Sequence, residues 1–286
     1  MVEKNRGRDP PIYFMRSKIQ QLIPWMHPYK IGVGPTMIFD KPRNKFYWEL
    51  LKQCKDKVCV EVGFGTGILT LMALHHGAKH IYAYEKDPSI FELGKYIIEE
   101  LGFSDRVTFV NENYKSKDHR YLDIELIFHE IIGRNIWKED ISNTFRGATT
   151  KIVPNVLACN IRLFKGSVGR KPTLDLPRYS TGCEWLDKTY LEVLKDLWKE
   201  KDTITYDGIS YPNSRLIGSY KVSINNWIPQ TIEVDIEVEN GIVFPEYYID
   251  DFKLAEGHWV VDKSIKVNKK YTKFIQNTTD GNWWLE

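Results

Sequence analysis

Cysteine is scarce in this chain, long apolar runs are missing, and neither sign of charge dominates. The four cysteines among 286 residues, Cys54, Cys59, Cys159 and Cys183, are scattered and form no C-x-x-C pair. Such spacing excludes a disulfide scaffold and a zinc ribbon, and it fits a reducing compartment, the cytoplasm. The longest apolar stretches, such as Gly67-Ile-Leu-Thr-Leu-Met-Ala-Leu74, are too short to cross a bilayer. The charged opening, Met1-Val-Glu-Lys-Asn-Arg-Gly-Arg-Asp-Pro10, lacks the apolar core of a signal peptide and reads as a mobile tail. Forty Lys and Arg against 38 Asp and Glu leave a net charge of +2, too small for an electrostatic grip on nucleic-acid phosphates to be the main activity. What is present is enough apolar residue, 42%, in a chain long enough to bury one large core or two modest ones.

The pattern from Pro11 to about Lys57 is helical, with Phe46, Tyr47, Leu50, Leu51 and Cys54 on one face. Lys57-Val-Cys-Val-Glu-Val62 then reads as a buried strand, followed by glycines and an apolar helix to about His76. His80-Ile-Tyr-Ala-Tyr84 is a second strand closing on Glu85. Asp87-Pro88 supplies an N-cap and a first-turn proline for a helix whose buried stripe is Ile90, Gly94, Ile97, Ile98 and Leu101. Third and fourth strands are expected over residues 106–110 and 124–128. Strands alternating with helices favour a parallel sheet covered on both faces.

Beyond Pro154 the pattern changes. Thr231-Ile-Glu-Val-Asp-Ile-Glu-Val-Glu239 alternates apolar and acidic residues, as a strand with one dry and one wet face does. Strand-like pieces recur over residues 160–164, 216–224 and 259–267. Between them residues 185–199 read as an amphipathic helix with Leu186, Tyr190, Val193, Leu194 and Leu197 on one side, expected to pack on its own domain. The expected division is an N-terminal tail and helix over 1–30, an α/β domain over 31–155, and a mainly antiparallel β domain with a helical insertion over 156–286. His75, His76 and His80 bunch together without a carboxylate or cysteine at ligand spacing, so no metal is expected.

The chemistry concentrates at Glu61-Val-Gly63-Phe-Gly65-Thr-Gly67, an acid-x-G-x-G-x-G run leaving a strand and entering a helix. Glycines let a ligand approach the backbone closely, and the helix start offers free N–H groups. The spacing is not the G-x-G-x-x-G of a dinucleotide site, where a pyrophosphate faces the helix. Here an acid stands two residues before the first glycine, where it can pair with a ligand ammonium. Glu85, at the end of the second strand, is placed to accept both hydroxyls of a ribose. Together these indicate an adenosine ligand bearing an amino acid, S-adenosylmethionine.

The stretch from about Met37 to Pro154 resembles the catalytic domain of the protein arginine methyltransferases, a class I S-adenosylmethionine-dependent family. Met37-Ile-Phe-Asp40-Lys-Pro-Arg43-Asn-Lys-Phe-Tyr47 is similar to that family's M-L-x-D-x-x-R-x-x-x-Y segment. By this resemblance Arg43 clamps the cofactor carboxylate, as a guanidinium can by two parallel hydrogen bonds, and Met37 lies near the sulfonium. Glu130 and Glu139, nine positions apart around Gly133, resemble the family's double-glutamate hairpin that holds the substrate arginine. Glu256-Gly-His258-Trp259 resembles its Thr-His-Trp loop, in which His258 pairs with Asp40 and accepts a proton. The resemblance implies a Rossmann-like class I methyltransferase sheet followed by a β-barrel-like domain. It also implies a protein or peptide arginine as acceptor, and a homodimer joined by an arm in the barrel.

The chain also departs from the family. Gly34 stands where a histidine is usual. The acid expected on the adenine amino group falls near Lys115, leaving Glu112 as a displaced candidate. Ile131, Ile132 and Arg134 replace the hairpin aromatics, Ile141 replaces a methionine, and Arg134 brings a cation that can compete for Glu130 or Glu139. Two rival readings stay open: a methyltransferase for a small molecule or another nucleophile, and a degenerate module that binds the cofactor without transfer.

Overall fold

The computed structural model describes residues 38, 40–115, 123–131, 135–166, 169–171, 180–195, 208–211, 213–250, 252–253 and 263–286. Its first half is a five-stranded parallel sheet in the order β3-β2-β1-β4-β5. The strands are β1 (Val58–Val62), β2 (His80–Tyr84), β3 (Val107–Val110), β4 (Leu126–His129) and β5 (Ile152–Val153). β1 lies at the centre with Cys59 and Val60 fully buried, and its apolar residues, interrupted only by the buried Glu61, suit a strand covered on both faces. Helices α1 (Lys41–Leu50), α2 (Ile68–His75) and α3 (Pro88–Glu100) accompany the sheet. Every residue of α2 from Ile68 to Leu74 is buried, the mark of a helix enclosed on all sides. Asp87 caps α3 by accepting from the Ser89 and Ile90 amides, and Pro88 begins it.

The second half is antiparallel. β6 (Val156–Phe164) pairs with β9 (Arg215–Ser223) on one side and β11 (Gly241–Ile249) on the other. β11 also pairs with β12 (Phe252–Lys253) and β13 (Ile265–Val267). A separate sheet joins β10 (Thr231–Val238), β14 (Tyr271–Asn277) and β15 (Trp283–Leu285), and β10 lies against β9. β7 (Gly169–Lys171) and β8 (Gly208–Ser210) form a two-stranded ribbon. The alternation in β10 buries Ile232, Ile236 and Val238, and on the wet face Lys273 and Lys270 meet Glu233 and Glu237 at 2.8 and 3.3 Å. A short helix, α4 (Ile141–Thr144), follows the segment carrying Glu139.

Several boundaries differ from the sequence expectation. Residues 104–106 form a 3-10 turn before β3, and β4 runs two residues later at its start and one later at its end. β11 is not expected from the sequence because Pro245 stands at its middle, opposite Ile161, where a strand normally needs its N–H. The single helix expected over 185–199 is two, α5 (Glu184–Lys188) and α6 (Tyr190–Lys195), with residues 196–199 outside the described residues. The break falls at Thr189, whose hydroxyl bonds the Trp185 carbonyl at 2.7 Å and so competes with the helical backbone. No helix among the described residues is long and apolar enough to cross a membrane. Cys54, Cys59 and Cys159 are buried, Cys183 is half-buried, and all four are free thiols.

Candidate active site

Parallel pairing levels the strand ends. Val62 stands opposite both Tyr84 and His129, and Tyr84 stands opposite Val110. Gly63, Glu85, Asn111 and Glu130 therefore leave the sheet at one height, around β1, where the strand order reverses and ligands of open parallel sheets bind. A cleft of about 280 Å³ opens there, lined by Gly63, Gly65, Glu85, Glu112, Glu130 and Glu139, with Lys86 and Tyr114 among the other lining residues. Six of the expected site residues thus meet in one cavity. Asp40, Arg43, Glu61 and Gly67 are not among its lining residues, while Met37 and His258 lie outside the described residues.

The glycine turn is held from two sides. Gly63, Gly65 and Gly67 all have positive φ, at 80°, 57° and 80°, which a side chain would strain. The Gly63 and Phe64 amides donate to the Tyr84 carbonyl at 3.0 and 2.8 Å, and the Gly65 amide donates to Glu85 Oε2 at 3.0 Å. Glu85 Oε1 accepts from the Asp87 amide at 2.8 Å, so backbone donors fix this carboxylate at both oxygens. On the other side Gly94 of α3 lies so close that a Cβ there would fall 2.3 Å from the Gly65 carbonyl oxygen. Sequence reading placed Gly94 in a buried stripe and missed this approach, although a glycine inside a helix is itself a signal.

Glu61 is almost fully buried and its Oε2 accepts from the Thr70 hydroxyl, while Oε1 has no hydrogen-bond partner among the described residues. Burial holds its carboxyl well above the usual range, against the opposing pull of Thr70 and Arg43. A buried acceptor without a donor costs free energy, and a ligand ammonium at Oε1 would relieve it. This chemistry fits the amino-acid end of S-adenosylmethionine.

Arg43 is buried on α1, and its Nε donates to Glu130 Oε1 at 2.9 Å. Burial works against the Arg43 charge, yet the Glu130 carboxylate raises it above its ordinary value. Glu130 in turn is lifted by burial, lowered by Arg43, and lifted again by Asp40 and Glu139. Glu130 and Glu139 both line the cleft. Asp40, buried, caps α1 by accepting from the Arg43 amide at 3.1 Å. Asn44, which sequence reading passed over, accepts from Arg43 Nη1 at 3.0 Å and donates to the Ile38 and Thr181 carbonyls at 2.7 and 2.8 Å.

The strand delivering Glu130 is anchored just before it. Tyr47 donates its hydroxyl to the His129 carbonyl at 3.0 Å, and His129 Nε2 meets the Pro154 carbonyl at 3.0 Å. Burial drives His129 down to about 4, so the ring is neutral and its Nε2–H donates. The segment carrying Glu139 is tied to the antiparallel half, with Asn135 donating to the Gly281 carbonyl at 2.6 Å and Trp137 Nε1 to the Tyr220 hydroxyl at 2.9 Å. Among the described residues no group of three or more His, Cys, Asp or Glu is placed to hold a metal ion.

A parallel sheet with a glycine turn at its switch point, joined to an antiparallel half, is a Rossmann-like architecture with a second, β-rich part. In sequence the chain is similar to protein arginine N-methyltransferases. It is 32% identical over 117 residues to protein arginine N-methyltransferase 1 of Saccharomyces cerevisiae, covering 40% of this chain and 33% of that protein. A longer match, 26% over 189 residues, is to protein arginine N-methyltransferase 1 of Schizosaccharomyces pombe, covering 63% of this chain and 54% of that one. The chain thus spans about a third of the length of the first curated relatives it matches. In fold it is similar to a crystal structure of PRMT6, with a TM-score of 0.56 at 11% identity over 96% of this chain and 99% of that one. An open conformation of Arabidopsis thaliana protein arginine methyltransferase 10 gives a TM-score of 0.50 at 11% identity, over 93% and 98%. No family model matches the chain.

Proposed function

We propose that the chain is an S-adenosylmethionine-dependent N-methyltransferase whose acceptor is the guanidinium of protein or peptide arginine. One observation carries this reading: Glu130 and Glu139 line the same cleft as Gly63, Gly65 and Glu85. The cofactor would supply an electrophilic methyl on a sulfonium. Arg43 would hold its carboxylate, Glu61 its ammonium, Glu85 its ribose and Glu112 its adenine, with Gly67 opening the helix behind the turn and Met37 near the sulfonium. Glu130 and Glu139 grip the acceptor from both sides, which holds positive charge away from the target nitrogen and aims that nitrogen at the methyl. By the family resemblance His258 would pair with Asp40 and take the released proton.

The same reading divides the chain into a tail and helix over 1–30, a cofactor domain over 31–155 and a substrate domain over 156–286. The switch from parallel to antiparallel pairing between β5 and β6 supports the second boundary. A cytoplasmic location and a homodimer belong to the proposal, the first supported by the free thiols and the second by the family resemblance. Incubation of the full chain with labelled S-adenosylmethionine and, separately, arginine-rich peptides, small guanidines and nucleic acid tests the function. Label on arginine of the peptides supports it. Label on another acceptor alone overturns the arginine assignment, and cofactor binding without transfer to any acceptor overturns catalysis.

A further inference from the structure

The helical insertion of the antiparallel half reaches back onto the parallel half. Leu186 and Tyr190 are fully buried and Leu191 nearly so. Trp185 packs against His75, Trp48 and Phe103, with ring centroids 4.4, 6.4 and 6.5 Å apart. Two polar links continue inward from this apolar dock. Tyr190 donates its hydroxyl proton to Thr66 Oγ1 at 2.6 Å, and Thr66 stands between Gly65 and Gly67 in the turn. Thr181, held by Asp187 through its amide at 2.6 Å and its hydroxyl at 2.7 Å, accepts from Asn44, which in turn accepts from Arg43.

Apolar packing alone does not call for a tyrosine at position 190, because phenylalanine fills the same space without burying a hydroxyl. Burying that hydroxyl is unfavourable unless a partner meets it. The partner it meets is the glycine turn. Burial lifts the Tyr190 phenol above its ordinary value, and Thr66, Arg43 and Glu61 all act on it. The hydroxyl therefore lies in the electrostatic neighbourhood of the two groups assigned to the ligand's amino-acid end.

We propose that Tyr190 is a positioning residue for the nucleoside site: through Thr66 it fixes the turn over residues 63–67 in its receptive form, so that docking of the insertion sets cofactor affinity. This rests on the cofactor reading above, and the experiment separates the two. The full chain is titrated calorimetrically with S-adenosylhomocysteine, and amide hydrogen exchange over residues 63–67 is followed without ligand. Tyr190→Phe should bind about fivefold more weakly, the factor that one buried hydroxyl hydrogen bond contributes, and its turn amides should exchange faster while the melting temperature changes little. Thr66→Ser keeps the acceptor and should bind as the wild type does. Thr66→Val should lose the same factor as Tyr190→Phe, and the double variant no more than either. Wild-type affinity in Tyr190→Phe, or losses that add in the double variant, overturns this inference alone. Absence of binding by the wild-type chain overturns the cofactor reading together with it.

Discussion

Replacing Gly94 by alanine sets two opposing effects against each other at the glycine turn. In a helix interior alanine gains about 1 kcal/mol over glycine. Against that gain stands the space available, since the added Cβ would fall 2.3 Å from the Gly65 carbonyl oxygen and 2.5 Å from Phe64 Cε1. Ordinary carbon contacts lie at about 3.5–4.0 Å, so α3 and the turn must separate by about 1 Å. The obstructing atom is backbone, and no side-chain rotation relieves it. Overpacking of a close-packed contact costs about 1–3 kcal/mol, and two buried elements shifting together place this case near the top of that range. The net expectation is a loss of about 1–2 kcal/mol, read as a melting temperature lower by several degrees. Binding should suffer more, because the Gly65 amide is held by Glu85 and a displaced turn misaligns both. A displacement of about 1 Å should weaken S-adenosylhomocysteine binding at least about tenfold. A Gly94→Ala chain that melts at or above the wild-type temperature and binds equally well would refute the reasoning, because propensity would then have outweighed packing.

Glu130→Gln removes the charge opposite Arg43 and should cut methyl transfer at least about a hundredfold, with S-adenosylhomocysteine affinity nearly unchanged; full activity in radiolabel transfer would exclude the role given to Glu130. His129 is a base whose folded pKa, about 4, lies below its unfolded value, so its contribution is fully present above about pH 6.5 and is lost as pH falls toward 4. Urea unfolding across that window should show His129→Gln with a shallower loss than the wild type by up to about 3 kcal/mol, and parallel curves would contradict the assignment. Asp87→Ala removes the cap of α3 and should cost about 1 kcal/mol in the same assay, whereas an unchanged midpoint would mean that Pro88 and packing define the helix start unaided.

The parallel half was legible because its cues are local. Asp87-Pro88 announces a helix start, β2 is a β-branched and aromatic run between breakers, and the glycines after β1 need positive φ wherever they lie. The cleft was legible in part for the same reason, since Glu85 and Glu130 each follow a strand end and the parallel register brings such ends level. What the sequence hid is non-local. Nothing in the spacing of Asn44 and Thr181, or of Tyr190 and Thr66, shows that they meet, because those contacts depend on how the insertion folds back. β11 was hidden by Pro245, and the split of the insertion helix by a threonine whose hydroxyl finds the carbonyl four residues back.

The charge of the cleft argues for the kind of acceptor. The chain as a whole is slightly basic, at +2, yet Glu85, Glu112, Glu130 and Glu139 line the cleft against Lys86. An anionic nucleophile would meet this field at a disadvantage and a cation would be drawn in. The structure also contains a guanidinium of its own in contact with the proposed clamp, since Arg43 Nε lies 2.9 Å from Glu130 Oε1. Only one oxygen of Glu130 is used in that contact, and a carboxylate has acceptor sites on both. On the proposed reading the Arg43 Nε would stay on Oε1, countering the charge of Glu130, while Oε2 and Glu139 would receive a second guanidinium from the cleft. An arrangement of this kind favours a planar, permanently charged fork over an ammonium, which cannot span two carboxylates with fixed geometry.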